Sequence, residues 1–459
     1  MSGNSSANGN NGTMVRDLTQ GNVVKQLLLF AAPLFVSNAL QAIYNIVDMI
    51  VVGQVIGGAG MSAVSIGGNV LHILTFLAMG FSSAGQIIIA QLVGAGNREG
   101  VRKTIGTLFT VLLSLSLVVA VICYCIRGQI LRLINTPEEA YTYTMDYTVI
   151  CITGLFFIYG YNIVSAILRG MGDSRRPFLF VAIAAVLNTI LDIIFVAFLG
   201  MEVRGAALAT VIGQGFSFIF ALVYLYRHRD SFDFDFKPAS FLPDRKAAVR
   251  IAALGIPMAI QSAAVSISQT VVTAWVNTFG VTVSAVTGIY SKVNMMVGMM
   301  SGAVTTAAAS MIGQNLGAKT YKRVPQILRT AAACTLVLSV ILTGLVLTFP
   351  DLIFELFTSD RAVIAAAAVV IGPILLNFYG SVSRTVGFAI INGSGNSRLN
   401  LAVAILDGMI ARISIAYFLG FSAGMGPQGF WYGDAIAGFV PFLIGFVYYL
   451  TGNWKKSRL

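Results

Sequence analysis

The sequence predicts an all-α integral membrane protein, with twelve transmembrane helices in two parallel-repeat six-helix bundles. Composition is the first observation behind this. Only 10% of the 459 residues are charged, 57% are hydrophobic and the mean hydropathy is +0.83. Soluble proteins carry about 25% charge, enough to cover their surface, so this chain has to face lipid. The second observation is a dozen apolar segments, each at or above the ~20 residues that cross a hydrocarbon core. The third is an internal repeat displaced by 223–224 residues. These segments and short loops use up the chain and leave no soluble catalytic domain, so no enzyme is expected.

Residues 1–22 are expected to be a disordered cytoplasmic tail, because 1–13 form a Ser/Asn/Gly run without positive charge or apolar core. Its Asn-X-Ser/Thr triplets at Asn4 and Asn11 fall on a side where glycosylation is not used. Residues 23–226 make the first bundle, with apolar segments near 24–52, 61–91, 104–126, 141–168, 177–200 and 205–226. Residues 227–248 are a charged cytoplasmic linker. The second bundle and a short C-terminal tail occupy 249–459, with segments near 249–279, 284–313, 327–349, 361–391, 399–420 and 429–451. Several exceed 25 residues, which implies tilt or extension above the bilayer.

Two motifs carry the repeat. Gly170-Met171-Gly172-Asp173-Ser174-Arg175 returns as Gly393-Ser394-Gly395-Asn396-Ser397-Arg398, and Gln91-Leu92-Val93-Gly94-Ala95 as Gln314-Asn315-Leu316-Gly317-Ala318. Pro33 maps to Pro257 and Gly205 to Gly429. An even number of spans per half makes the repeats parallel, about an axis along the membrane normal, an arrangement suited to rocking around a midplane site. With the N-terminus inside, 22 of the Lys and Arg residues fall on the inner side, four on the outer side and three within spans. That bias places both termini in the cytoplasm of a cell-membrane protein.

A charge at mid-bilayer costs about 2.5–3.5 kcal/mol on insertion scales, so each one needs a reason. The first half places Asp48 on its first helix and Asp192 on its fifth. Asn188 lies one turn before Asp192 on the same face, and Thr210 sits at a similar depth on the sixth helix. Two carboxylates, an amide oxygen and a hydroxyl are hard ligands that suit a small cation. Two carboxylates brought together also make a proton-binding pair, and packing hydrogen bonds are the plain alternative. The second half carries Lys292, Arg384, Asp407, Arg412 and Asp434 instead, read as an internal ion-pair network. Matching Asp192-Ile193-Ile194-Phe195-Val196-Ala197-Phe198-Leu199-Gly200 to Arg412-Ile413-Ser414-Ile415-Ala416-Tyr417-Phe418-Leu419-Gly420 sets Arg412 opposite Asp192, while Thr210 maps to Asp434.

Other chemistry is not supported. The net charge of +11 sits in loops between apolar runs, which argues against nucleic acid. Cys123, Cys125, Cys151 and Cys334 lack metal-ligand spacing and read as buried hydrophobes. His72, inside the second helix, shows no partner and reads as a packed histidine rather than a proton relay. The glycine-rich Gly94-Ala95-Gly96 and Gly170-Met171-Gly172 follow no strand, so no nucleotide or other cofactor is expected.

Jointly, several of these residues resemble the multidrug and toxic compound extrusion (MATE) family. They are Pro33 with Tyr44-Asn45-Ile46-Val47-Asp48, Gln91-Leu92-Val93-Gly94-Ala95-Gly96, Leu168-Arg169-Gly170-Met171-Gly172-Asp173, Asn188 with Asp192, Gly205-Ala206-Ala207-Leu208-Ala209-Thr210 and Gly313-Gln314-Asn315-Leu316-Gly317-Ala318. The resemblance, nearest to a prokaryotic, DinF-like branch, covers the chain after its tail. It implies a V-shaped pair of bundles, acting as a monomer, that exports cationic or amphipathic organic compounds in exchange for Na+ or H+. It also implies a cation site at Asp48, Asn188, Asp192 and Thr210, and a first helix able to bend at Pro33. Where several branches carry a Glu after the second proline, this chain reads Gln261-Ser262-Ala263-Ala264-Val265, which counts against a second-half cation site. Lipid-linked saccharide flippases share the architecture and are the alternative. A strongly basic cavity would mark them.

Overall fold

The structure, a computed structural model, describes residues 16–231, 234–355, 357–358 and 360–456. The triplets at Asn4 and Asn11 lie outside this range. Among the described residues twelve helices are long and apolar enough to cross a membrane. The first six are α1 (Val23–Ile56), α2 (Gly58–Gly94), α3 (Arg98–Leu133), α4 (Glu138–Gly170), α5 (Arg175–Phe198) and α6 (Glu202–Arg227). The second six are α7 (Arg245–Asn277), α8 (Val281–Gly317), α9 (Tyr321–Thr348), α10 (Val363–Gly393), α11 (Ser397–Ser422) and α12 (Pro427–Leu450). No β-strand occurs among the described residues. The apolar segments read from the sequence coincide with these helices.

Helix starts are set by local side chains. Asn22, Asn97, Asp244 and Asn396 each accept a backbone N–H of the following turn, at the heads of α1, α3, α7 and α11. α1 and α7 carry internal prolines, Pro33 and Pro257. The missing N–H breaks the ladder there, and the Ser37 hydroxyl donates back to the Pro33 carbonyl at 2.9 Å.

The two lobes meet at one end, the base, where residues 16–22, Trp454 and the docked part of the link between lobes also lie. Residues 84–92 of α2 and 307–317 of α8 are buried without a break, whereas the far halves of both helices alternate between buried and exposed. The repeat is visible in the contacts themselves. Gln91 Nε2 donates to Gly393 O (3.0 Å), and its counterpart Gln314 Nε2 donates to Gly170 O (3.3 Å). Gln86 Nε2 donates to Ser310 Oγ across the same seam at 2.6 Å. Gly94 and Gly317 let the backbones touch, because a methyl at either would overlap the carbonyl oxygen of Gln314 or Gln91.

The first helix of each lobe crosses over at this base. The near half of α1 packs its Leu27, Phe30 and Leu34 with Ala303, Ala307 and Met311 of α8 in the second lobe. Its far half turns into the first lobe, where Val52 packs on Ala63, Val64, Val196 and Val203. α7 mirrors this: Ile251, Leu254 and Met258 belong to the first lobe's core, and Val272 and Val276 to the second's.

Residues 16–22 correct the expectation of a tail disordered through 22. Arg16 N donates to Met171 O of the first lobe at 2.9 Å, and Leu18 N to Gln314 Oε1 of the second at 3.0 Å. Asn315 Nδ2 returns a bond to Leu18 O at 3.1 Å. A fully buried Leu18 side chain is the physical reason this stretch is held. The linker is likewise docked: Phe234 and Phe241 pack on Phe109 of α3, and Asp244 N donates to Thr107 Oγ1 at 2.9 Å.

Candidate ion-coupling site

Three helices of the first lobe, α1, α5 and α6, bring the four predicted residues into one cluster. Asp48 stands eight residues from the far end of α1, Asp192 six from that of α5 and Thr210 eight from that of α6. At 1.5 Å per residue this puts the cluster about 9–12 Å below the far face. Asp48, Asn188, Asp192 and Thr210 are all buried, Asp192 completely. Asn188 acts as a bracket: its amide nitrogen donates to Asp48 Oδ1 (2.9 Å) and its oxygen accepts from the Thr210 N–H (3.2 Å). The Thr210 hydroxyl donates weakly to Asp48 Oδ2 at 3.5 Å.

Asp192 is different. It faces Asp48, and neither of its oxygens has a hydrogen-bond partner among the described residues. A layer of Val52, Val64, Val196, Val203 and Ala206 closes the far side, with Tyr147 and Cys151 of α4 beside it. Two carboxylates facing each other in a dry site require positive charge between them, either a proton or a small cation held by hard oxygens. Asn188 has both amide groups committed, so it positions Asp48 in this arrangement, and the oxygens on offer are those of the two aspartates and the Thr210 hydroxyl. Among the described residues no group of three or more His, Cys, Asp and Glu comes together.

α5 leaves α-helical geometry right after Asp192: residues Ile193–Phe198 form a π-helical turn. Such turns carry one residue more per hydrogen-bonded ring and recur at functional sites. α11 has two, Leu406–Ala411 and Phe418–Ser422. The hydrogen bonds give the register between the halves. Leu199 N to Ile194 O and Met201 N to Phe195 O reappear as Ala423 N to Phe418 O and Met425 N to Leu419 O, displaced by 224 residues. The bonds at the helix heads, Arg176 N to Asp173 Oδ1 and Leu399 N to Asn396 Oδ1, are displaced by 223. The turn at Leu406–Ala411 therefore holds a one-residue insertion. This corrects the sequence alignment: Arg412 stands opposite Asn188, not Asp192.

Of the five charged residues expected to pair in the second half, the structure joins Arg412, Asp407 and Asp434 directly. Arg412, 1% exposed, pairs with Asp434 through Nη1 and with Asp407 through Nη2 at 3.4 Å. Tyr290 donates its hydroxyl to Asp434 Oδ2 at 3.0 Å. Arg384 adds its charge at longer range, so two cations face two anions. Lys292 does not join them. It is exposed and makes no ion pair among the described residues, because it lies on the opposite side of α8 from Tyr290. Tyr290, Tyr147 and the π-helical turns were not singled out from the sequence. A tyrosine in an apolar run gives no signal of its own, and a one-residue insertion inside a helix leaves no mark on hydropathy. His72 is exposed and edges onto Phe76, with ring centroids 4.9 Å apart.

Two six-helix lobes crossing at one end, with a buried carboxylate pair in one of them, define a polytopic helical membrane protein of the two-lobe, twelve-helix class. The MatE family model matches residues 33–194 and again 257–418, two segments displaced by 224 residues, as the internal repeat is. The chain belongs to the MatE family, and members of that family are transporters, not enzymes. The probable multidrug resistance protein YpnP of Bacillus subtilis (strain 168) is 29% identical over 96% of this chain and 98% of its own length. The probable multidrug resistance protein NorM of Thermotoga maritima is 24% identical over 95% and 94%. Among solved structures, an outward-facing multidrug resistance MATE family transporter of the MOP superfamily superposes with a TM-score of 0.89 at 22% identity, covering 98% of this chain and all of that one. A MATE structure in a bent conformation gives 0.86 at 23%, over 95% and 96%.

Proposed function

We propose that the chain is a secondary active multidrug efflux transporter of the cell membrane, exchanging Na+ or H+ for small organic compounds by alternating access. It works as a monomer, with no cofactor and with both termini in the cytoplasm. The observation that carries this reading is Asp192: a fully buried carboxylate facing Asp48, with no hydrogen-bond partner among the described residues. A group this costly is kept for an ion that comes and goes. The second support is α1 itself, which holds Asp48 in one lobe while its near half packs on the other. Ion binding at one end of this helix bears on the lobe contact at its other end, with Pro33 between them. The orientation read from the charge bias makes the open end extracellular. Of the cationic and amphipathic cargoes expected from the sequence, the amphipathic kind fits the exposed charge of the cleft. A lipid-linked saccharide flippase fits less well, because the walls between the lobes carry a single lysine at membrane depth rather than a basic lining.

Flux in proteoliposomes under separately imposed Na+ and proton gradients tests the proposal. Importing one charge is worth about 2.3 kcal/mol per 100 mV, so a coupled protein accumulates cargo against its gradient. Asp48→Asn and Asp192→Asn should abolish gradient-driven flux in folded protein, and Thr210→Ala should weaken it only in part. A stable double mutant that still concentrates cargo would remove the carboxylates from the mechanism.

A further inference from the structure

We propose that the cleft between the lobes binds the anionic group of an amphiphilic cargo on Lys292. The inference rests on the export reading and goes on to name the charge of the cargo. Helix periodicity sets where Lys292 points. Ser310 of α8 meets Gln86 of α2 across the closed base. Lys292 stands eighteen residues before Ser310, five complete turns, and so on the same face of α8. That face continues above the seam as Gly288, Lys292, Met295 and Met296, all exposed. Gly68, His72 and Thr75 lie on the corresponding face of α2, and a methyl on Gly68 or Gly288 would meet nothing within 4 Å. The lysine therefore projects into the interlobe cleft and not into lipid. It sits eleven residues below the far end of α8, too deep to reach the surface by extending along the helix.

Among the described residues no acidic group answers it. The four helices that meet between the lobes, α1, α2, α7 and α8, contain one acidic residue, Asp48, and that is buried inside the first lobe. Their other basic residues, Lys25, Arg245, Lys246 and Arg250, lie in the first turns at the base. At membrane depth the cleft thus carries a positive charge among methionines and glycines. Flexible thioethers accept varied apolar bodies, and an ammonium in a half-dry wall selects a carboxylate, sulfonate or phosphate. The same chemistry is met by a water-borne organic anion and by the headgroup of an anionic lipid.

The test uses the full-length protein in nanodiscs of zwitterionic phosphatidylcholine, with two radiolabelled probes at equilibrium. Taurocholate carries a sulfonate on an apolar body, and tetraphenylphosphonium is a cation of comparable hydrophobicity. The wild type should prefer taurocholate. Lys292→Gln should weaken taurocholate binding about tenfold or more, the scale of one charge-assisted hydrogen bond. Lys292→Arg should retain it, and Lys292→Glu should reverse the preference, with thermal unfolding of all three matching the wild type. Flipping of fluorescent phosphatidylglycerol in proteoliposomes separates the sources. Lysine-dependent flipping identifies a lipid headgroup, and lysine-dependent taurocholate binding without flipping identifies an aqueous cargo. Either supports the proposal. A wild type that prefers tetraphenylphosphonium, or Lys292→Gln that leaves both taurocholate binding and flipping unchanged, overturns it. Because binding is read without a gradient, failure of gradient-driven flux would count against export and leave this result standing.

Discussion

Arg412 and Asn188 hold equivalent places in the two halves, and each bridges its helix to the next. Asn188 does so with a neutral amide that touches Asp48 and Thr210, whereas Arg412 does so with a charge held by Asp434, the counterpart of Thr210, and by Asp407. Removing one member of the charged set leaves its partner buried and unpaired. Arg412→Met should therefore destabilise the protein by about 3–5 kcal/mol, seen as a lowered melting temperature in detergent. The double variant Arg412→Met/Asp434→Leu should recover much of that, because Arg384 and Asp407 remain to balance each other. Single variants that melt like the wild type yet lose transport would make the network part of the mechanism. These residue types were legible in the sequence, since a charge in a span is conspicuous. Their partners are not, and Lys292 stands outside the network because spacing along a chain does not tell which face a helix turns inward.

At the scale of the helix, hydropathy gave the position of all twelve spans, since a run of apolar side chains is itself what crosses the bilayer. Register inside the repeat was harder. The string Phe-Leu-Gly occurs in both α5 and α11, and matching it slid the alignment four residues from the register that the hydrogen bonds define. The inserted residue is absorbed at Leu406–Ala411, so the wide turn can be removed without disturbing either flank. Deleting the exposed Met409 should restore an ordinary α-helix, preserve the packing of Gly433 on Ala416 and shift Asp407 away from Arg412. Folded protein with a modestly lowered melting temperature is the expected outcome. Aggregation on expression would show that the wide turn is required by its surroundings.

For the whole molecule, the seam at the base is the contact that has to open if cargo is to enter from the cytoplasm. In a background where the four native cysteines are alanine, Gln86→Cys and Ser310→Cys place two thiols on either side of it, where the wild-type side chains lie 2.6 Å apart. Oxidation should stop gradient-driven flux and reduction restore it. Flux that continues through a fully crosslinked seam would rule out opening at this point. Two such lobes were foreseen from the repeat, and so was their parallel sense. The N-terminal strap was not, because Leu18 is one apolar residue in a polar stretch and only its pocket shows what it does.

The crossing of α1 and α7 makes each lobe an incomplete body that borrows part of another's first helix. Topologically this is a domain swap folded into a single chain, with residues 228–244 as the only covalent tether between halves that already embrace. Cutting that tether should matter little. Residues 1–236 and 237–459 produced together should associate and transport, while either fragment made alone should lack the helix that fills its base and be degraded. The interlocked helices also limit how the lobes move apart: they can tilt about the crossing point, but a clean separation would require one of them to be withdrawn.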